Sequence, residues 1–305
     1  MMGTGHDHGA AQAGSAAGRH RERLVGALAL TLAYMAAEVI GGLVTGSLAL
    51  LADAAHMLTD AGGLALALFA IRFAERPATP QKTYGYLRAE ILSALANAVV
   101  LLLLTVYILY EAYRRFIDPP AVIGGPMLAV AAVGLIVNLI SMRLLAGGSS
   151  ESLNVRGAYF EVLSDMLGSL GVIVAALPVL FTGWRLADPI IGAGIGLFIV
   201  PRTWHLLKQA THILLEGTPP EVDLVLLEKY LREIPGVIAV HDLHVWTITS
   251  GLDAMSGHLV VSDVREAPRI LRSARQAMAE RFGIDHVTIQ IEDEALRAEE
   301  KTVQV

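Results

Sequence analysis

The sequence predicts an all-α six-helix transmembrane bundle followed by a small cytoplasmic α+β domain of αββαβ order. Three observations lead there. The chain is 54% hydrophobic and only 17% charged, with a mean hydropathy of +0.55, above the roughly 45 to 50% apolar usage of soluble domains. Six stretches are each apolar over the ~20 residues needed to cross a hydrocarbon core of about 30 Å. Charged residues are sparse from Leu24 to about Leu215 and dense from Glu216 onward, so a polar module follows the bundle.

The predicted spans run from Leu24 to Thr45, Ser47 to Phe73, Ala89 to Tyr110, Gly125 to Leu145, Val155 to Phe181 and Ala187 to Leu207. Two short links, Gly46-Ser47 and Thr182-Gly183-Trp184-Arg185, make their neighbours antiparallel hairpins. Basic residues near span ends set the orientation. Arg19, Arg21, Arg23, Arg72, Arg76, Lys82, Arg88, Arg143, Arg156, Arg202 and Lys208 fall on one side, against Arg114, Arg115 and Arg185 on the other, so both termini are expected in the cytoplasm. Residues 1–23, rich in Gly, Ala and His, lack the apolar core of a signal peptide and read as a disordered cytoplasmic arm, whose His6-Asp7-His8 could capture metal loosely. The bundle is assigned to residues 24–212.

Glu216-Gly217-Thr218-Pro219-Pro220 ends the helical pattern and opens a soluble module over residues 213–293, with 294–305 as a flexible tail. Within it, Glu221 to Ile234 and Glu266 to Phe282 read as amphipathic helices, and Val237 to Thr249, Gly257 to Ser262 and His286 to Glu292 as strands. That order predicts an open sheet with both helices on one face, in the ferredoxin-like manner. A module of roughly 80 residues has a marginal core, and dimerisation is expected. The net charge of −6 belongs mostly to this end and offers no nucleic-acid surface. With no cysteine, any metal must be held by nitrogen and oxygen.

The chemistry concentrates in two spans. His56 and Asp60 in the second, and Glu161 and Asp165 in the fifth, are metal-ligand types placed four apart, on one helix face. A charged side chain at the bilayer centre costs roughly 3 kcal/mol on insertion scales, so four such groups at similar depth require a shared partner. Each pair lies ~12 to 15 Å into its span at 1.5 Å per residue. Because the spans run in opposite directions, both pairs arrive near the midplane, where a divalent cation is the simplest partner. Asp60-Ala-Gly-Gly63 and Asp165-Met-Leu-Gly168 also share Asp-x-x-Gly, an echo of the repeats that bracket transporter sites. The blander reading, in which His and Asp merely hold helices together, suits one pair better than two matched pairs. It suits them less still beside small-residue faces at Gly42, Gly46, Gly192 and Gly196. Glu38, Asp53, Glu90, Asn97 and Asn138 read as supporting partners or the lining of a wet cavity, and Asp188 as a helix cap.

An empty buried cluster of three carboxylates attracts protons, whereas a metal requires those ligands deprotonated, so the two compete. A site opening alternately to each side would exchange metal for protons, and His56 is a plausible proton carrier. An enzyme is disfavoured because there is no His-Glu-x-x-His helix and four protein ligands leave no open position. A carrier of organic cations would not need the paired spacing. A metal receptor signalling through the soluble module stands as the alternative to a transporter.

The runs Ser47-Leu-Ala-Leu-Leu-Ala-Asp53-Ala-Ala-His56-Met-Leu-Thr-Asp60, Thr83-Tyr-Gly-Tyr-Leu-Arg88-Ala-Glu90, Asn154-Val-Arg-Gly-Ala-Tyr, Asp165-Met-Leu-Gly-Ser and His241-Asp-Leu-His-Val-Trp246-Thr-Ile-Thr-Ser-Gly251 resemble the cation diffusion facilitators, in particular bacterial zinc, cobalt and cadmium efflux proteins. The resemblance covers about Leu24 to Glu292. It implies a Y-shaped homodimer in a bacterial inner membrane that exports Zn2+, with Co2+ or Cd2+, for protons, using one transport site per protomer. Many relatives carry histidine where Glu161 stands. The exchange adds an anionic oxygen, which should widen the range toward oxygen-tolerant metals while His56 retains zinc-like ions over magnesium or calcium. The loop Ala74 to Leu87 has no His or Asp, and Ala146-Gly-Gly-Ser-Ser-Glu-Ser lacks a histidine-rich insertion, so accessory sites of some relatives are expected to be missing. By the same resemblance His241 and His258 stand where several relatives bind regulatory metal, Glu292 could add a carboxylate, and Gln290 replaces a stronger ligand. His244 and His286 read equally well as ordinary polar-face residues.

Overall fold

The computed structural model describes residues 21–74, 76–146 and 153–299; the His6-Asp7-His8 arm, the link at 147–152 and the last residues lie outside them. The chain divides into two compact units, Met1–Ala65 with Asn97–His205 and Leu66–Ala96 with Leu206–Val305.

The first unit is built from α1 (Arg21–Thr45), α2 (Leu48–Ala74), α3 (Ala89–Ile117), α4 (Gly124–Ala146), α5 (Leu153–Thr182) and α6 (Ala187–Leu214), whose end segments outside the unit belong to the second. All six predicted helices form. Among the described residues, α1, α3, α4, α5 and α6 are long and apolar enough to cross a membrane. The third helix runs seven residues beyond the predicted Tyr110, because Glu111 pairs with Arg115 at 3.0 Å and carries the charged end onward as helix.

Side-chain placement is that of a lipid-solvated bundle. Large apolar groups such as Leu103, Val106, Ile136 and Phe198 face outward, while the interior collects small ones: Ala49, Ala131, Ala175 and Ala176 around Leu50 and Met127. Glycine sets the closest approaches. On α4, a Cβ at Gly134 would fall 1.9 Å from Cζ of Tyr34, so the α1 ring lies directly on the α4 backbone. Gly42 and Gly192 give similar approaches to Leu51 and Leu48, as their predicted packing role requires. Gly46 does something else: at φ +72° it forms the left-handed turn between α1 and α2, which glycine adopts without Cβ strain.

The second unit carries the soluble module: α7 (Leu224–Arg232), β1 (Val237–Thr249), β2 (Leu252–Val261), α8 (Ala267–Phe282), β3 (His286–Glu292) and α9 (Glu294–Glu299). Its sheet has the order β1-β2-β3, antiparallel then parallel. Leu227 and Leu231 of α7 and Ile270, Ala274 and Met278 of α8 pack with Val240, Val245, Met255, Leu259 and Val261, so both helices cover one face, as predicted. Asp223 caps α7 by accepting from the amides of Val225 and Leu226.

Within the module α7 is shorter than the expected Glu221 to Ile234, and the starts of the second strand and of the tail differ too. The second strand begins at Leu252 rather than Gly257, because Ser250-Gly251, with Gly251 at φ +75°, closes a tight hairpin pairing Thr249 with Leu252. Thr247 then donates to Asp253 at 2.6 Å, drawing a weak strand former into the ladder. The expected flexible tail starts instead with α9, capped by Asp293 accepting from the amide of Leu296.

Candidate metal centre

In the first unit, α2 and α5 present the predicted pairs toward one another. His56 Nε2 lies 3.6 Å from Asp60 Oδ2 on α2. The Asp60 and Glu161 side chains are close enough to interact directly across the two helices. His56 and Asp165 are buried, and Asp60 and Glu161 are partly open, with side-chain exposures of 21% and 36%. Both ring nitrogens of His56, Oδ2 of Asp60 and Oδ1 of Asp165 are buried with no hydrogen-bond partner. Leaving such groups unsatisfied is costly, and a bound ion would satisfy them; Asn138 Oδ1 and Ser141 Oγ, outside the predicted pairs, are buried without a partner as well.

A further cation stands at the same place. Arg202 of α6 reaches Glu161 Oε1 at 3.4 Å and Asp60 Oδ1 at 3.7 Å, spanning one carboxylate from each pair. Sequence reasoning counted it only as a basic residue near a span end. The signal available was its position five residues inside the predicted Leu207 boundary.

A second buried polar layer adjoins the site. Glu38 and Asp53 are fully buried, and Tyr34 donates to Glu38 while its oxygen also lies 3.3 Å from Ser169 Oγ. Asn138 donates to Ser169 as well. Asp53 rests on Gly168, where a Cβ would meet Oδ1 at 2.0 Å; Asp-x-x-Gly in the fifth span therefore makes room for a carboxylate from the second. Glu38, Asp53 and Asn138 thus hold the interior around the site. Glu90 does not: its carboxylate accepts from Thr249 and Ser250 within the second unit, at 2.6 and 2.9 Å. Asp188 is a cap, but of another helix. It accepts from Ser47 Oγ and from the amides of Leu48 and Ala49, closing the start of α2.

The soluble module brings a second set together. His241 and His258 are cross-strand partners on β1 and β2, on the face opposite α7 and α8, and Glu292 ends β3 beside them. Nε2 of His241 is 2.9 Å from Glu292 Oε2, and Nδ1 of His258 is 2.6 Å from Glu292 Oε1. Among the described residues these three are the one group of at least three His, Asp or Glu whose ligand atoms all lie within 4.8 Å of one another. Gln290 is no ligand substitute here, since its amide donates to Glu292 at 2.9 Å and orients it. A β-bulge centred on Asp242, at φ +51°, keeps His241 and His244 on the same face, and Asp242 pairs with His244 at 3.1 Å. His286 sits apart, 3.4 Å from the Tyr84 hydroxyl.

An apolar-surfaced bundle with unpartnered ligand-type groups in its interior is the architecture of a membrane protein that handles cations. Comparison with known proteins gives the family. The cation efflux transmembrane domain matches residues 24–215 and the cation efflux protein cytoplasmic domain residues 219–294, and the chain belongs to the cation efflux family. It is 50% identical over 293 residues to the cation efflux system protein CzcD of an Alcaligenes species, covering 95% of this chain and 90% of the relative. A cadmium, cobalt and zinc/H(+)-K(+) antiporter of Bacillus velezensis is 43% identical, covering 96% and 93%. The zinc transporter ZitB of Escherichia coli is 43% identical, covering 88% and 87%.

Proposed function

We propose that this transporter exports zinc, together with cobalt and cadmium, from the cytoplasm in exchange for protons, by alternating access at His56, Asp60, Glu161 and Asp165. The observation that carries the reading is the set of buried ligand atoms without hydrogen-bond partners on His56 and Asp60 of α2 and Asp165 of α5, with Glu161 beside Asp60. One imidazole and three carboxylates suit zinc-type ions over magnesium or calcium. The relatives' names support it: the Bacillus velezensis protein is a cadmium, cobalt and zinc/H(+)-K(+) antiporter, and ZitB is a zinc transporter. Protons neutralise the carboxylates on the return step, because empty anionic ligands are costly to carry through lipid.

The transporter works as a homodimer in the bacterial inner membrane with both termini in the cytoplasm, on the strength of the basic-residue asymmetry and of the marginal size of the soluble module. In that module His241, His258 and Glu292 form a regulatory metal site, whose occupancy reports cytoplasmic metal. Their geometry supports it: three ligand atoms, two on partly exposed histidines and one on the buried Glu292, lie within 4.8 Å of one another.

The test is uptake into sealed proteoliposomes with an imposed pH gradient and a panel of metals. Zinc, cobalt and cadmium should each move against the proton flux, and Asp60→Ala should abolish all three. Binding without movement would refute export.

A further inference from the structure

Asp60 and Glu161, one from each ligand pair, are joined by the guanidinium of Arg202, with Nη2 at 3.7 Å from Asp60 Oδ1 and at 3.4 and 3.5 Å from the two Glu161 oxygens. Nη1 adds a 3.5 Å contact to Glu161 Oε1. A divalent ion bound by both pairs would have to join the same two carboxylates. Arginine stays charged at any physiological pH, so its cation is always present there. Its side chain is half exposed, at 52%, and its contacts are at the long end for ion pairs, which leaves it free to withdraw. The ligand atoms without partners, on His56, Asp165 and the far oxygen of Asp60, are the ones Arg202 does not reach.

We propose that Arg202 is a tethered counter-cation that competes with the transported metal for Asp60 and Glu161, and so sets affinity and release; this rests on the four-residue transport site proposed above. With Arg202 in place the empty site has part of its charge neutralised. Incoming metal first meets His56 and Asp165, then displaces the guanidinium. On release the guanidinium returns and opposes rebinding. The pairing also accounts for Glu161 in a position where histidine would need no counter-charge: the added anion and Arg202 offset one another. Arg202 is thus a positioning residue for the ligands rather than a ligand.

The experiment measures zinc affinity on the purified full-length chain by competition with a chromophoric chelator, and the KM and kcat of zinc transport in proteoliposomes, all in a His241→Ala/His258→Ala background that removes the soluble cluster. Arg202→Gln should bind zinc at least tenfold tighter, with KM and kcat both lowered because release slows. Arg202→Lys, which keeps the charge, should stay near the parent. In a Glu161→Gln background the same Arg202→Gln change should have a much smaller effect. Arg202→Met repeats the test if the glutamine variant misfolds. Zinc affinity within twofold of the parent in both neutral variants, or weaker, would overturn the inference, while loss of binding in Asp165→Asn showed that the site itself stands. Undiminished binding in Asp165→Asn would remove the site reading, and this inference with it.

Discussion

Asp188 of α6 ties the start of α2 through several hydrogen bonds at once. Fully buried, it accepts from one hydroxyl and two amides at the start of α2, and Arg115 approaches its Oδ2 at 3.4 Å while donating to the Gly46 carbonyl at 2.6 Å. Replacing it by alanine orphans these donors and leaves Arg115 half-paired, a loss of about 1 to 3 kcal/mol from an unsatisfied buried group. Thermal unfolding in detergent should show Asp188→Ala clearly below the parent, with Asp188→Asn intermediate because it can still accept. Equal midpoints for all three would remove the cap. The sequence marks Asp188 as a cap by its place at the head of a span, but the helix it caps lies about 140 residues away in sequence, and no local pattern records that. The ligand pairs were legible for the opposite reason, since spacing of four residues on one helix is a local property. Arg202 was not, because a long basic side chain near a span end ordinarily snorkels to the interface.

At the level of elements, the fit of α2 on α5 depends on Gly168. Gly→Ala inside a helix normally gains up to about 1 kcal/mol from propensity. Here the new Cβ would lie 2.0 Å from Asp53 Oδ1, a separation that forces the carboxylate or the helix to move. Gly168→Ala should therefore slow transport and lower the unfolding midpoint, whereas Gly194→Ala, with nothing within 4 Å of its added Cβ, should be neutral or stabilising. Two variants behaving alike would deny the α2–α5 contact its role. In the module, β1 and β3 follow their predicted limits, β3 because its apolar alternation is unbroken. The start of β2 was hidden, since Asp253 and Ala254 carry no strand signal and are recruited by pairing across the hairpin. The bulge at Asp242 was hidden too, although it is what places His241 and His244 on one face.

For the whole molecule, the two proposed metal sets predict separable demands on zinc. Equilibrium dialysis of the full-length chain should count one zinc fewer per protomer in His241→Ala/His258→Ala than in the parent, and one fewer again when Asp165→Asn is added. Zinc should raise the unfolding midpoint of the parent in a concentration-dependent way, as any ligand of the folded state does, and a chelator should reverse it. An unchanged count in the histidine variant would show that the convergence of His241, His258 and Glu292 is a hydrogen-bonded sheet feature only.

The central claim is that α2 and α5 jointly hold one divalent ion through His56, Asp60, Glu161 and Asp165. An anomalous difference map at the zinc edge, from crystals of the zinc-loaded full-length chain, tests it most directly. The account predicts a peak between the two helices, about 2.0 to 2.2 Å from one imidazole nitrogen and from carboxylate oxygens, with the Arg202 guanidinium withdrawn. A map in which the bundle holds no peak there, with the four side chains turned apart and Arg202 still between Asp60 and Glu161, would contradict it.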